Sequence, residues 1–430
     1  HPTQPLEHCM TTMIISDGCP PIKRLIKTTW VNGTLTRLVY LTALACITFN
    51  ALAEPGDDIA AEMTRYYLST VESCADGQRP AYYCSGLMIK NTRSRPGHYA
   101  WNPGRASTSS GGISFIYLRA DTRFNNPDAN KLNGFVLYPY GHAHPPIKKA
   151  PQVLCSFPLD AGTHKRDDKG CGDQFDTSAV ETSCEALNIH TAEDWVDDHL
   201  KTDGNLRKQC AFREVSGRFE EKGAQHFYAS LKARSLLLKN SDQLEYDTFE
   251  TPNKLRLSTW AENPDSLPIM AFFYVDDPYL GSGLAAAQQD QLDWVVENKR
   301  AYTPIIKITY PATMKEHAVF TFNQADQRVC PTYFDSSRWV LKEGKWWLVV
   351  TPSACSQAVA LFNSQAASKE LLALHGADAE FNALAPGHSI AEQLQCLASR
   401  YRSAGEWNLA PWRSAEGLTQ AQVLAADCQP

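Results

Sequence analysis

Ten of the chain's thirteen cysteines follow residue 53, and they are its first candidates for chemistry. They stand as Cys74/Cys84, Cys155/Cys171 and Cys184/Cys210, then Cys330, Cys355, Cys396 and Cys428. An even number at short spacings reads as a disulfide framework made in an oxidising compartment, and bridged cysteines are not thiol nucleophiles. Other signatures are missing: no P-loop, no His-Glu-x-x-His, no Gly-x-Ser-x-Gly elbow and no Gly-x-Gly-x-x-Gly after a strand. Gly281-Ser282-Gly283 lacks the elbow spacing and reads as a turn. His142 and His144 lie between Gly141 and Pro145-Pro146 with no acidic ligand near in sequence, so no metal is expected there. Asp167-Asp168, Asp197-Asp198 and Asp276-Asp277 read as solvated loop or helix ends.

The compartment follows from the N-terminal residues. Lys23, Arg24, Lys27 and Arg37 precede an apolar run from Leu38 to Phe49, about twelve residues and the length of a signal h-region. Ala51-Leu52-Ala53 supplies small residues where signal peptidase reads, so residues 1–53 are expected to be a leader cleaved near Ala53, with an over-extended start. The run is shorter than the roughly 20 apolar residues a membrane span needs. Removing the leader's four basic and two acidic residues leaves 37 basic against 45 acidic, a net charge of −8. That sign argues against a nucleic-acid groove. The expectation is a secreted or periplasmic protein with no membrane span.

The elements that must position any site read as α+β: a mixed sheet with flanking helices, then a small disulfide-stapled α+β domain. Asp57-Asp58 caps a helix carrying Ile59, Met63, Tyr66, Tyr67 and Val71 at helical spacing. Strands are expected at 85–90, 113–118, 134–138 and 152–157, the second apolar on both faces and so central. Thr191 with Asp194 starts a helix through Leu200, and a longer one spans 218–238. The segments 267–275, 284–298 and 303–310 read as strand, helix and parallel strand, with 319–322 as an edge strand. Arg338–Leu341 and Trp346–Val350 flank a turn at Glu343-Gly344, and 390–401 is helical. Half of the ten tryptophans lie beyond residue 328: Trp339, Trp346, Trp347, Trp407 and Trp412. They are expected to form mainly the core of a small domain, with Trp412 partly exposed. The resulting division is 1–53, 54–328 and 329–430.

Several blocks recur in an order that resembles one family. Tyr82-Tyr83-Cys84-Ser85-Gly86-Leu87-Met88-Ile89-Lys90-Asn91-Thr92, then 109–121, 134–139, 153–158, 255–260, 268–274, 283–288 and Ala325-Asp326-Gln327, resemble the halovibrin family of secreted bacterial proteins. The tail blocks Ser337-Arg338-Trp339, 347–352 and 407–412 resemble a small domain of unknown function on other exported bacterial proteins. Halovibrins have been assigned to NAD chemistry. The resemblance therefore implies cleavage of the nicotinamide–ribose bond of NAD, by glycohydrolysis or by ADP-ribosyl transfer to a host protein acceptor, with NAD as substrate and no cofactor.

Cleaving that bond needs a carboxylate to stabilise an oxocarbenium-like ribose and a cationic clamp on the pyrophosphate. In the scheme of toxin-type ADP-ribosyltransferases, an Arg, a Ser-centred strand and a Glu supply these parts. By resemblance Lys90 takes the Arg place as the substrate-binding cation and Ser114 the Ser place; the catalytic carboxylate is taken from the nearest candidates, Glu250 and then Glu245, the alternative being a catalytically weakened member. The family pattern usually has Arg-Gly-Thr where Lys90-Asn91-Thr92 stands, and Glu where Met270 and Lys254 stand. The alternative is a non-catalytic exported protein that binds a host or cell-surface ligand through its aromatic tail. The simplest bridging scheme is local: Cys74–Cys84, Cys155–Cys171 and Cys184–Cys210, then Cys355–Cys396, leaving Cys330 with Cys428.

Overall fold

The computed structural model describes residues 55–74, 79–92, 112–125, 131–139, 153–160, 184–185, 187–201, 209–213, 223–240, 242–258, 268–297, 301–382, 388–413 and 418–428. The expected leader, His142, His144 and Asp167-Asp168 lie outside them.

The chain is α+β. Helix α1 (Pro55–Leu68) leads into strands β1 (Leu87–Thr92), β2 (Gly112–Leu118), β3 (Asn133–Leu137) and β4 (Val153–Phe157). Helix α2 (Ala192–Lys201) starts with Thr191 and Asp194 exchanging side-chain-to-backbone hydrogen bonds of 3.1 and 3.3 Å, the reciprocal cap expected of that pair. Then come β5 (Phe212–Arg213), α3 (Gly223–Asn240), α4 (Asp242–Glu250), β6 (Lys254–Ser258) and β7 (Ile269–Tyr274). A two-stranded ribbon, β8 (Asp276–Asp277) with β9 (Gly281–Ser282), precedes α5 (Leu284–Leu292), a π-helical turn (Asp293–Glu297), β10 (Ile305–Thr309) and β11 (Val319–Phe322).

Nine of these strands form one sheet in the order β11-β10-β7-β3-β1-β2-β6-β4-β5. Only β10 and β7 pair in parallel; all the other neighbours are antiparallel. The unit β7–α5–β10 is the expected crossover, β11 is the expected edge, and β2 lies well inside the sheet. Both faces are covered. Met88, Phe115, Tyr117, Phe135 and Phe272 meet Phe227 and Leu231 of α3 and Ala287 of α5. Leu87, Ile89, Val136, Phe273 and Ile306 meet Ala60, Met63, Tyr66 and Tyr67 of α1. Successive strand side chains point to opposite faces, so the continuous apolar runs of β1, β2 and β7 are what a sheet between two helical layers requires.

The last hundred residues build a second sheet, β12-β13-β14, from β12 (Phe334–Lys342), β13 (Lys345–Pro352) and β14 (Trp407–Leu409). Helices α6 (Ala354–Ala358), α7 (Ser364–His375), α8 (Ala379–Asn382), α9 (His388–Arg400) and α10 (Gln420–Ala425) accompany it. Its apolar cluster runs from Val329 to Cys428, with Trp407 buried at its centre. Leu292, Val295 and Val296 pack against that cluster, and the described residues group as one compact unit.

The disulfides agree with the expected local scheme in two places and correct it in two. Cys74–Cys84 and Cys184–Cys210 are bonded. Cys155 is also bonded, and its expected partner Cys171 lies outside the described residues. Cys355 pairs with Cys330, not Cys396, and Cys396 pairs with Cys428. The reason is topological. β12 and β13 fold back on each other and carry Cys330 and Cys355 to the same end of the hairpin. Cys396 on α9 instead meets Cys428, just past α10.

Candidate functional site

Lys90 and Ser114 stand on adjacent strands, as expected, but on opposite faces. Met88 pairs with Tyr117 and Ile89 with Ile116 across β1 and β2, while Lys90 pairs with Phe135 of β3. Alternation then puts Lys90 on the Phe115–Tyr117 face and Ser114 on the Ile89–Ile116 face. They do not close on one ligand from one side of the sheet. Ser114 instead pairs with Arg256 of β6, whose buried guanidinium donates through Nη1 to the serine Oγ. Arg256 went unnoticed in the sequence, although the alternation Lys254-Leu255-Arg256-Leu257 is a strand signal that places it opposite the leucine face.

Glu250 is also away from Ser114. It is the exposed last residue of α4, and it accepts from the Tyr246 hydroxyl, which raises that tyrosine's pKa. Three residues further on, Asn253 bonds the Tyr117 backbone N–H at 2.9 Å. Tyr117 is itself three residues from Ser114, about 10 Å along β2 at roughly 3.3 Å per residue. Met270 is buried in the α1-side core.

Glu245, one turn earlier on α4, faces an open cleft of about 620 Å³. That volume lies in the range of small-molecule sites, roughly 300–1,000 Å³. Arg123, Lys239 and Lys315 line it with Asp121, beside the apolar side chains of Leu238 and Met314. Asp121 is committed elsewhere: the Arg119 guanidinium donates to both its oxygens at 2.6 Å. Glu245 is thus the cleft carboxylate not locked into that pair, set among three cations.

The elements that hold this cleft are fixed from beneath. Arg234 of α3, fully buried, donates to the backbone carbonyls of Thr122, Arg123, Pro158, Thr248 and Thr251. Burial draws its guanidinium down to about 9, still cationic near neutrality. One side chain thereby joins the 119–125 loop to the end of α4. Arg123 donates through Nε to Ala120 O at 3.1 Å and through Nη1 to Met314 O, which fixes it on the cleft wall.

A buried carboxylate lies on the Lys90 face. Asp290 of α5 is 1% exposed and accepts from Asn133 Nδ2 at 2.9 Å. Burial pushes it up to about 7, against the lowering effect of that hydrogen bond. It does not line that cleft, nor another of about 450 Å³ that opens where β7 and β10 end and is lined in part by Lys131, Asp276 and Lys307.

Of the five tail tryptophans expected mainly in the core, Trp407 is fully buried, whereas Trp339, Trp347 and Trp412 are half-buried, the last with its ring edge-on to Trp347 at 4.8 Å. Trp346 is the exposed one, at 42%. Among the described residues no cluster of His, Cys, Asp and Glu is arranged to hold a metal ion, and no helix is long and apolar enough to cross a membrane. Comparison of the chain with protein-family models, with curated proteins and with solved structures finds no match in any of the three.

Proposed function

We propose that this is an exported, disulfide-bonded enzyme that resembles halovibrins and hydrolyses NAD at the nicotinamide–ribose bond, with the cleft beside α4 as its site. The observation that carries the reading is the placement of Glu245 among Arg123, Lys239 and Lys315 in a cleft of about 620 Å³. The cations suit a pyrophosphate, which guanidinium and ammonium groups bind by charge-assisted hydrogen bonds. The carboxylate suits the positive ribose that forms as the bond breaks. In this reading nicotinamide leaves with the bonding electron pair, water adds to the ribose C1′, and Glu245 orients that water and accepts its proton. The products are ADP-ribose, nicotinamide and a proton. Ser114 and Arg256 then serve as a buried strap between β2 and β6, and Glu250 has no part in the chemistry.

The test is nicotinamide release from NAD by the oxidised chain. Glu245→Gln should lower kcat by roughly 100-fold or more, as expected when a charge-stabilising group is lost. Lys239→Ala should act chiefly on KM, and Glu250→Gln should leave both unchanged. No release by the parent chain would end the NAD reading. Release undiminished in Glu245→Gln would keep the activity and move it out of this cleft.

A further inference from the structure

Three side chains stand in series between β12 and the end of α7. The Ser337 hydroxyl lies 2.7 Å from His375 Nε2, and His375 Nδ1 lies 2.8 Å from Asp378 Oδ2. An ionised carboxylate only accepts, so Nδ1 carries the proton and the Nε2 lone pair faces the serine O–H. Nucleophile, base and orienting carboxylate are therefore within hydrogen-bond reach of one another and in working order.

The surroundings hold this order. The Trp339 indole N–H donates to the same Asp378 oxygen at 2.9 Å; with the His375 bond it keeps that carboxyl below the usual range. The Asp378 backbone N–H bonds His375 O at 2.8 Å, which closes the turn joining base and carboxylate. Trp339 meets the imidazole edge-on at 5.7 Å, and Phe381 lies nearly parallel to it at 6.4 Å. His375 is the last residue of α7. The site is reachable: the side chains of His375 and Asp378 are 14% and 38% exposed, and β12 is an edge strand of its sheet.

We propose that Ser337, His375 and Asp378 form a second catalytic centre, independent of the cleft beside α4, that hydrolyses carboxylic esters with an apolar acyl chain. The acyl preference comes from the same strand face. Ser337, Trp339 and Leu341 alternate along it, and Leu341 pairs with Trp346. Leu341 is 56% exposed and Trp346 42%, an apolar strip running outward from the serine beyond Trp339.

In the reaction the serine oxygen bonds to the ester carbonyl carbon while its proton passes to His375 Nε2. The tetrahedral adduct collapses, the C–O bond to the alcohol breaks, and the alcohol leaves with the proton from His375. Water then attacks the acyl-serine as His375 takes its proton, the bond from the acyl carbon to the serine oxygen breaks, and His375 returns the proton to that oxygen, releasing the acid and restoring Ser337. Trp339 is a positioning residue, acting through Asp378.

The oxidised full-length chain is incubated with a fluorophosphonate, whose phosphorus bonds to an activated serine as fluoride leaves, and the adduct is mapped by peptide mass. Separately, p-nitrophenyl acetate and octanoate are hydrolysed. The expected results are an adduct on Ser337, its loss in Ser337→Ala, labelling at least tenfold slower in His375→Gln, and a higher kcat/KM for octanoate. Trp339→Phe should shift the pH midpoint of labelling rather than abolish it. Mapping on the parent chain needs no variant to fold. No adduct on Ser337, or ester hydrolysis unchanged in Ser337→Ala, overturns the proposal. Nicotinamide release should be equal in the parent and Ser337→Ala chains, which keeps the two centres separately testable.

Discussion

At the residue scale, two buried ionisable groups fix the body of the molecule. Arg234 satisfies five backbone carbonyls from three segments. Arg234→Met would remove this donor from all five, and each buried group left unsatisfied costs about 1–3 kcal/mol. The expected loss is roughly 3 kcal/mol or more, read as a lower urea midpoint at unchanged m-value. Asp290 gives a pH signature. Its folded pKa, raised by burial from the ordinary 3.8 up to about 7, means that the folded chain holds a proton the unfolded chain gives up. Its contribution is complete below the unfolded pKa and is lost as pH rises through about 7. Between pH 5 and pH 8 the parent chain should therefore lose stability relative to Asp290→Asn, whose amide still accepts from Asn133. Urea titrations of both chains at the two pH values check this; parallel behaviour would mean that Asp290 is not buried as described.

At the element scale, strand pairing decides which residues share a face, and there the sequence stops being legible. The crossover β7–α5–β10 was readable because each piece carries its own period and Gly281-Ser282-Gly283 punctuates it. The β12–β13 turn was readable from Glu343-Gly344, which adopt φ of 52° and 77°, the paired positive values of a tight hairpin. The opposition of Lys90 and Ser114 was not readable, since it depends on the register of β1 against β2. A shift by one residue would have put both on one face. Glu245, Arg123 and Lys315 are equally dispersed in the sequence, and of these only Glu245 is a sequence candidate, as a neighbour of Glu250. Helix α7 carries little amphipathic pattern in Ser364–His375 and escaped notice, and with it the base that meets Ser337. Gly134 offers an element-scale test. A Cβ there would sit 1.9 Å from the Lys90 carbonyl oxygen, so β1 and β3 approach too closely for a side chain. Gly134→Ala should destabilise by roughly 1–3 kcal/mol or more through forced strand separation. A thermal melt unchanged from the parent would contradict this register.

At the scale of the whole molecule, the covalent links divide the chain differently from the local scheme. Cys330–Cys355 closes a separation of 25 residues around the β12–β13 hairpin, and Cys396–Cys428 closes one of 32 that ties the chain's last helix to α9. The alternative Cys355–Cys396 bridge would have strapped α7, α8 and the entry to α9 into one loop and left Cys428 to reach back to Cys330. The observed links instead secure the two ends of the second sheet's cluster and leave α7, with His375, outside both covalent loops, held by packing and by hydrogen bonds such as those Glu370 accepts from the Tyr333 and Phe334 backbone N–H groups. Loop closure of these lengths contributes about 3–4 kcal/mol each in the chain-entropy account. Replacing Cys396 and Cys428 together by Ala should thus lower stability by about that amount, while Ser337 reactivity survives at temperatures where the variant is folded. Non-reducing peptide mapping of the parent chain should yield the 330–355 and 396–428 linked pairs. Recovery of a 355–396 peptide would refute the topology drawn for this half of the chain, and with it the placement of α7 against β12 on which the Ser337 centre depends.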